Sequence, residues 1–268
     1  MVAIALSYAA SCYSVDVRSS QTLARMREEK LKNLQSTPKT SAEALQQAES
    51  LHASLSSRLA SYREQSSRLR PDFARVYDEL IDRLGALDRG EVGPQVGDRL
   101  QNFILPDESG RLVSLSSLLQ SGPAVISFNR GHWCPYCKLE LRSLAAIHDQ
   151  IKQLGARVVS IMPDSAQFTD RYAQQNRLPF PVLSDIDLGY SLSLGLIFWV
   201  GAEISRMYLE AGVELEKYHG NRGYFLPMAA KFIVGQDGLV KARQVNIEFR
   251  ERMEPDTIVA ALKDLRAA

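Results

Sequence analysis

The pattern that most restricts the fold of this chain is an apolar run, a helical stripe and a second apolar run within residues 123–162. The runs PAVISFN (123–129) and ARVVSIM (156–162) have the length and apolar character of buried strands. Between them, residues 135–154 repeat apolar side chains at helical spacing, and Gly155 follows as a stop signal. Strand, helix and strand with short joints form a βαβ unit, so the sequence predicts parallel strands in an α/β fold.

The chain after this unit continues the α/β pattern. Residues 165–176 are predicted to form a helix, residues 181–183 a short strand, and residues 202–218 have helical character. An Asp-Gly dipeptide at 237–238 stands between two apolar runs, which is a strong hairpin signal. Residues 255–266 are predicted to close the chain as a helix.

Residues 18–90 have the character of a helical N-terminal extension, preceded by a predicted disordered leader over residues 1–17. Apolar side chains recur at spacings of three or four over residues 45–62, and Thr40 or Ser41 is a candidate N-cap. Pro71 is expected to open a further helix with a second apolar stripe. Such stripes usually pack, so the extension is expected to dock on the main domain or on a second subunit. Docking on a second subunit would make the protein a homodimer.

Composition excludes several functional classes. The chain has 268 residues, 45% of them hydrophobic and 24% charged, which is ordinary for a globular protein. A net charge of +1 gives no basic field to hold nucleic acid or an anionic membrane. No apolar run approaches the 18 residues or so of a transmembrane helix. The N-terminus lacks the positive start of a secretory signal, so the cytoplasm is the expected compartment.

Two of the three cysteines, Cys134 and Cys137, stand at the joint between the first predicted strand and the helix after it. Pro135 favours a helix start there. The free N–H groups and the dipole of a helix N-terminus stabilise an anion, so a thiol at this position is expected to have a lowered pKa. The spacing brings both sulfurs to one side of the first turn, close enough to form a disulfide. Arg130 could add positive charge beside the thiolate.

Two alternatives to a redox pair follow from the same residues. A zinc site needs four ligands, but the sequence has no second Cys-X-X-Cys and its four histidines show no ligand spacing. Two inert core cysteines are the other alternative, because free cysteine is often simply buried. A Cys-X-X-Cys inside a βαβ unit favours redox chemistry over both. Cys12 lies alone in the predicted leader and is expected to take no part.

Residues 96–144, from VGDRLQNF to the motif RGHWCPYCKLELRSL, resemble the opening of the AhpC/TSA (peroxiredoxin-like) branch of the thioredoxin fold. The resemblance extends over about residues 95–268. It implies a thioredoxin-like (peroxiredoxin-type) three-layer α/β sandwich with a helical N-terminal extension. It also implies added N-terminal strands and thiol-based redox chemistry without a bound cofactor; no metal is expected from the ligand spacing either.

The resemblance assigns the two cysteines in opposite ways. Aligned with typical peroxiredoxins, Cys137 takes the place of the peroxide-attacking cysteine, and Cys134 replaces a threonine that helps to orient the peroxide. Aligned with thioredoxins, Cys134 is the exposed nucleophile and Cys137 resolves. The sequence leaves both assignments open.

Four neighbouring residues are further candidates for the site. Arg130 is a candidate catalytic residue beside the cysteines, with a structural salt bridge as the alternative. Trp133, Tyr136 and His132 are candidate substrate contacts. Trp133 could shield the sulfurs or only pack on the domain, and Tyr136 is expected at the mouth of the site. His132 could assist proton transfer, although an exposed loop histidine is the simpler interpretation.

Three further features concern the surroundings of the motif. Glu140 is expected to be a solvated or paired carboxylate. Arg250 and Arg252 resemble the C-terminal arginine stretch of the family, without a role that the sequence defines. Thioredoxin-fold proteins usually place a cis-proline before the strand that faces the motif, but this chain has Ala229 there and Pro227 two residues earlier. A cis bond without proline is costly, so Ala229 is expected to be trans.

These observations predict a peroxiredoxin-like, thiol-dependent oxidoreductase that reduces hydroperoxides through a Cys-X-X-Cys dithiol–disulfide cycle. A thioredoxin-, glutaredoxin- or glutathione-type reductant is the expected partner. One alternative is a thioredoxin- or glutaredoxin-like protein disulfide oxidoreductase without peroxidase activity. Another is a non-catalytic redox sensor or scaffold that uses the helical extension.

Overall fold

The computed structural model describes residues 37–87 and 92–267. The predicted leader (1–17), Cys12 and the first residues of the predicted extension lie outside these ranges. In the described part, no helix is both long and apolar enough to cross a membrane. No group of three or more His, Cys, Asp or Glu side chains there is arranged to hold a metal ion.

The described part of the extension forms three helices: α1 (Ser41–Ser50), α2 (Leu55–Leu69) and α3 (Pro71–Leu87). Thr40 caps α1, because its hydroxyl accepts the backbone N–H of Glu43 at 3.2 Å. The first residue of α3 is a proline, a position where the missing N–H costs nothing. Both helix starts agree with the sequence prediction.

After the extension, short strands and helices follow one another along the chain. The strands are β1 (Ile104–Pro106), β2 (Leu112–Ser114), β3 (Ala124–Phe128), β4 (Arg157–Met162), β5 (Val182–Ser184), β6 (Ile197–Trp199), β7 (Phe225–Pro227), β8 (Ala230–Val234) and β9 (Val240–Val245). The helices are α4 (Leu115–Leu119), α5 (Pro135–Ala146), α6 (His148–Gln153), α7 (Ala166–Asn176), α8 (Gly189–Ser193), α9 (Ala202–Glu210), α10 (Leu215–His219) and α11 (Pro255–Ala267).

Among the described residues, five strands form the central sheet in the order β5-β4-β3-β8-β9. β3 and β4 pair in parallel, which confirms the predicted βαβ unit. β4 also pairs in parallel with β5, while β8 runs antiparallel to both β3 and β9. β8 and β9 are the hairpin that the Asp-Gly dipeptide predicted, and their pairing completes the sheet on its far side.

Helices cover both faces of this sheet, because β3 and its neighbours alternate their side chains between two apolar layers. Ile126 and Phe128 of β3 face the layer that contains residues of α4 and α8. Val125 of the same strand faces the layer formed by α5, α6, α7 and α11. All of β3 is buried, as expected for a central strand with helices on both sides. The predicted three-layer α/β sandwich is therefore confirmed.

Three predicted helices are each divided in the structure. The stripe over residues 45–62 breaks between α1 and α2, where Ser54 caps the new helix. The helix predicted over 135–154 breaks at Ile147, whose ψ of 7° is not helical. The segment 202–218 divides into α9 and α10. Apolar spacing continues across such breaks, so periodicity alone does not reveal them.

Two small two-stranded sheets were not predicted from the residue pattern. β1 pairs with β2, and β6 pairs with β7, each antiparallel and outside the central sheet. Each of these strands has three residues, which is too short for an alternating pattern to stand out.

The extension docks on the sandwich of the same chain. Leu59 and Tyr62 of α2 pack with Leu139 of α5 in one apolar cluster, and residues of α3 pack against α9 in another. The first N–H groups of α2 donate to the Glu254 carboxylate at 3.1 and 2.6 Å, which anchors the start of this helix. The apolar stripes are therefore covered within one chain, and the homodimer stays a prediction.

Candidate active site

Cys134 and Cys137 lie where the chain passes from β3 into α5. Cys134 is the N-cap residue of α5 and Pro135 is in its first turn. The loop before them closes tightly, because the Cys134 N–H donates to the Gly131 carbonyl at 3.1 Å. Gly131 has φ of +141°, and a Cβ there would lie 2.5 Å from Nε1 of Trp133. A side chain at this position would therefore displace the loop that carries the motif.

Neither sulfur lies at the protein surface. Cys134 is 1% exposed and Cys137 is 0% exposed. The thioredoxin alignment, one of the two left open, implied an exposed Cys134, but here the extension covers the start of α5. Tyr62 of α2 packs edge-on against Tyr136 with ring centroids 5.1 Å apart, and both rings share an apolar cluster with the cysteines.

Positive charge and one backbone donor surround the sulfur of Cys137. The backbone N–H of Arg130 lies 3.4 Å from this sulfur, and Nη2 of Arg252 lies 3.8 Å from it. Arg252 is held by Glu140 at 2.7 Å, and Glu140 also pairs with Lys231 at 2.7 Å. All three side chains of this network are buried. Two cations and one anion therefore leave a net positive charge beside the cysteine pair.

The two thiols differ in pKa. Burial would raise the pKa of Cys134, but a hydrogen bond from Cys137 and the charges of Arg130 and Arg252 outweigh it and lower that pKa to about 6. Burial, the same hydrogen bond and the adjacent negative charge raise the pKa of Cys137 well above its ordinary value. Of the two coupled thiols, Cys134 is therefore the one that ionises more readily.

Arg130 is enclosed by aromatic side chains. Its Nη2 donates to the Tyr208 hydroxyl at 2.6 Å, and its guanidinium lies 3.9 Å from the Phe249 ring centroid and 5.3 Å from that of Trp133. Tyr77 of α3 adds a fourth ring at 5.8 Å. The groups that interact most strongly with Arg130 are, in order, Tyr208, Cys134, Tyr77 and Cys137. Of these four, Cys134 is the one whose pKa is lowered, so its thiolate offsets the charge of Arg130.

A cavity of about 180 Å³ opens beside Cys134. The helices α2 and α3 of the extension form one wall, and the start of α5, α9 and the segment after β9 form the others. Cys134 lines this cavity and Cys137 does not. The aromatic and cationic side chains that line it are Tyr62, Phe73, Tyr77, Trp133, Tyr136, Tyr208, Phe249, Arg70, Arg130 and Arg250.

The structure brings most of the predicted site residues together. Arg130, Trp133 and Tyr136 line the same cavity as Cys134. His132 does not line it: its backbone N–H donates to Asp164 at 2.7 Å, and its ring stacks on that of Phe168 with centroids 5.0 Å apart. These contacts place the His132 ring in a separate cluster, which gives it no contact with a bound substrate in this arrangement.

Sequence reasoning gave Arg252 no role, yet its guanidinium lies beside a sulfur that is 115 positions away in the chain. Glu140 is paired rather than solvated, which was one of its two expected states. One signal was available: Lys231 interrupts the apolar strand AAKFIV, and a charge in a buried strand indicates a buried partner.

Ala229 packs in the cluster of the cysteines, and no peptide bond of the described residues is cis.

A family model described as the AhpC/TSA family matches residues 96–243. Among curated proteins, a chloroplastic peroxiredoxin Q from Triticum aestivum is 33% identical over 101 residues, which cover 38% of this chain and 43% of that protein. A putative peroxiredoxin from Mycobacterium tuberculosis is 31% identical over 91 residues, which cover 34% of this chain and 59% of that protein. The chain thus spans less than two thirds of the length of the curated relatives it matches.

Two solved structures share the fold. The peroxidoxin BcpB from Mycobacterium tuberculosis superimposes with a TM-score of 0.50 and 22% identity, covering 64% of this chain and 97% of that one. A mutant peroxiredoxin 6 from Arenicola marina superimposes with a TM-score of 0.53 and 15% identity, covering 65% of this chain and 74% of that one. At these identities the likeness concerns the fold alone.

Proposed function

The chain belongs to the AhpC/TSA family, and from this premise we propose that it is a thiol-dependent peroxidase that reduces hydroperoxides through a Cys134–Cys137 dithiol–disulfide cycle. The observation that carries the proposal is the cavity beside Cys134. A cysteine that ionises near pH 6 lines this cavity, and a second thiol lies within hydrogen-bonding distance of the first. A nucleophile, access for a small substrate and a resolving thiol are therefore present together.

In the first step, the Cys134 thiolate attacks the distal oxygen of the hydroperoxide. The S–O bond forms as the O–O bond breaks, and the leaving alkoxide or hydroxide takes up a proton to become an alcohol or water. Cys134 becomes a sulfenic acid, oxidised by two electrons. The positive charge of Arg130 stabilises the thiolate before this step and the departing oxygen during it.

In the second step, the sulfur of Cys137 attacks the sulfenic acid. The S–S bond forms, the S–O bond breaks and water leaves, so the two electrons come from the pair. Only a few atoms have to move, because both sulfurs already lie on the first turn of α5. When a thiol reductant later attacks Cys134, Cys137 leaves as a thiolate. The Arg130 N–H and the Arg252 guanidinium stabilise that leaving group.

Peroxide consumption by the reduced protein tests this proposal. Wild type is expected to consume hydrogen peroxide or cumene hydroperoxide faster than free cysteine at an equal thiolate concentration. The double variant Cys134→Ser/Cys137→Ser is expected to lose this reaction while it keeps the wild-type circular dichroism spectrum. A wild type that reacts no faster than free cysteine would contradict the proposal.

A second candidate is disulfide exchange with other thiols, without peroxidase activity. It is favoured by the position of Cys134, because the N-terminal cysteine of the pair faces the cavity and its partner is enclosed. An insulin reduction assay beside the peroxide assay separates the two activities.

We also propose the cytoplasm as the compartment, since thiols stay reduced there. Cell fractionation followed by immunoblotting tests that proposal.

A further inference from the structure

Arg130 is the one arginine lining the cavity whose charge is balanced by a cysteine rather than by a carboxylate. The other two are already paired: Arg70 contacts Asp72 at 2.9 Å, and Arg250 contacts Glu248 at 2.6 Å. No Asp or Glu of the described residues lines the cavity. The charge of Arg130 therefore depends on Cys134 for its balance.

The proposed cycle removes the negative charge that offsets the charge of Arg130. In the reduced protein, the Cys134 thiolate offsets the charge of Arg130. In the disulfide both sulfurs are neutral, yet Arg130 stays charged and 1% exposed. A buried cation without a counter-charge is unfavourable, so the oxidised cavity has a net attraction for an anion that the reduced cavity lacks.

Two residues that line the cavity each carry a buried N–H donor without a hydrogen-bond acceptor: Nε of Arg130 and Nε1 of Trp133. Buried donors without acceptors are rare in folded proteins and indicate a missing partner. Both residues line the cavity that Cys134 also lines, so an anion bound there lies next to the disulfide.

We propose that the oxidised cavity binds a small monothiol that carries a carboxylate, and that this thiol is the reductant of the Cys134–Cys137 disulfide. The inference rests on the proposed cycle and adds the class of reductant. The size of the cavity supports it: about 180 Å³ is close to the roughly 150 Å³ of an engineered cavity that holds benzene. This space suits a small thiol, and α2 and α3 cover the disulfide against the surface of a protein reductant.

The reduction proceeds in two exchanges. The thiolate of the bound reductant attacks the sulfur of Cys134, a mixed disulfide forms, and Cys137 leaves as a thiolate that takes up a proton. A second reductant thiolate then attacks the reductant sulfur of the mixed disulfide. The products are the reductant disulfide and the Cys134 thiolate, which restores the counter-charge of Arg130 and weakens the anion site. Two electrons pass from two monothiols to one protein disulfide.

Three thiols of similar size but different charge test the inference: β-mercaptopropionate, β-mercaptoethanol and cysteamine. The disulfide is prepared with diamide, and its reduction is followed by quenching with an alkylating reagent and mass spectrometry. Per thiolate, β-mercaptopropionate is expected to react about tenfold faster than β-mercaptoethanol, the size of one charge-assisted hydrogen bond. Cysteamine is expected to be the slowest. Arg130→Gln should abolish the differences in rate among the three thiols, whereas Arg75→Gln, which removes an exposed arginine of α3 outside the cavity, should keep them.

A competition experiment on the wild type needs no variant. Propionate is expected to slow reduction by β-mercaptoethanol, because it occupies the anion site without a thiol. Equal rates for all three thiols, no effect of propionate, or faster reduction by thioredoxin than by β-mercaptopropionate would overturn the inference. Failure of diamide to join Cys134 to Cys137 would instead contradict the proposed cycle itself, so the two failures are distinguishable.

Discussion

At the scale of single residues, the hydrogen bond from Cys137 and the charges of Arg130 and Arg252 lower the pKa of Cys134. The thiolate fraction of Cys134 is expected to rise with pH through about 6 and then level off, because its pKa is lowered to about 6. Removing the guanidinium in Arg130→Gln takes away a lowering contribution, so the midpoint should rise by about one pH unit or more. The pH dependence of the iodoacetamide alkylation rate measures this midpoint. Arg75→Gln, on the outer face of α3, is the control and should leave it unchanged.

The buried network behind Cys137 carries a second prediction at this scale. Glu140→Gln leaves Arg252 and Lys231 buried with one anion fewer. The variant is expected to lower the free energy of unfolding by about 3–5 kcal/mol, as when one partner of a buried ion pair is removed. Urea unfolding measures the change. Glu210→Gln breaks an exposed pair with Arg206 and should cost far less. Equal losses in the two variants would contradict a structural role for the network.

At the scale of elements, the sequence predicted best where its signals were long. The apolar runs of β3 and β4 and the helix between them appeared as a βαβ unit, and that unit placed Cys134 and Cys137 at a helix start. The sequence signals were weaker where tertiary packing determines the ends of an element. Apolar spacing continues through the non-helical backbone at Ile147, and the three-residue strands of the two small sheets are too short to show a period. Element boundaries were therefore less predictable than element types.

The docking of α2 on α5 gives a prediction for an element. The Leu59 side chain of α2 is buried against α5. Leu59→Ala is expected to lower the free energy of unfolding by about 2–5 kcal/mol, because it leaves a cavity. In Leu59→Ala, amide hydrogen exchange should accelerate more in α2 than in β3, because the extension loses part of its contact with the sandwich. Leu51→Ala, at a partly exposed position between α1 and α2, is the matched control. Unchanged exchange in α2 would argue against intrachain docking.

At the scale of the whole molecule, the site forms only when distant segments assemble. The motif itself was predictable from sequence, because its cysteines, Arg130, Trp133 and Tyr136 are local. Its surroundings were not: Tyr77 comes from the extension, and Arg252 comes from the C-terminal part. No spacing rule links positions so far apart, so the covered cysteines and the cavity became visible only in three dimensions.

The proposed cycle uses only Cys134 and Cys137 and leaves no role for Cys12. Cys12→Ser is therefore expected to keep wild-type turnover and to lose two thiols per peroxide consumed, as wild type does. Thiol titration before and after one equivalent of hydrogen peroxide measures this ratio. A large loss of turnover in Cys12→Ser would show that the pair at α5 does not complete the cycle alone.

The central claim is that Cys134 attacks the peroxide and Cys137 resolves. The most direct test treats reduced Cys137→Ser and Cys134→Ser with one equivalent of hydrogen peroxide, traps sulfenic acid with dimedone and maps it by mass spectrometry. The account predicts rapid labelling of Cys134 in Cys137→Ser and little labelling of Cys137 in Cys134→Ser. Rapid labelling of Cys137 with an unreactive Cys134 would contradict it and would reverse the roles of the two sulfurs.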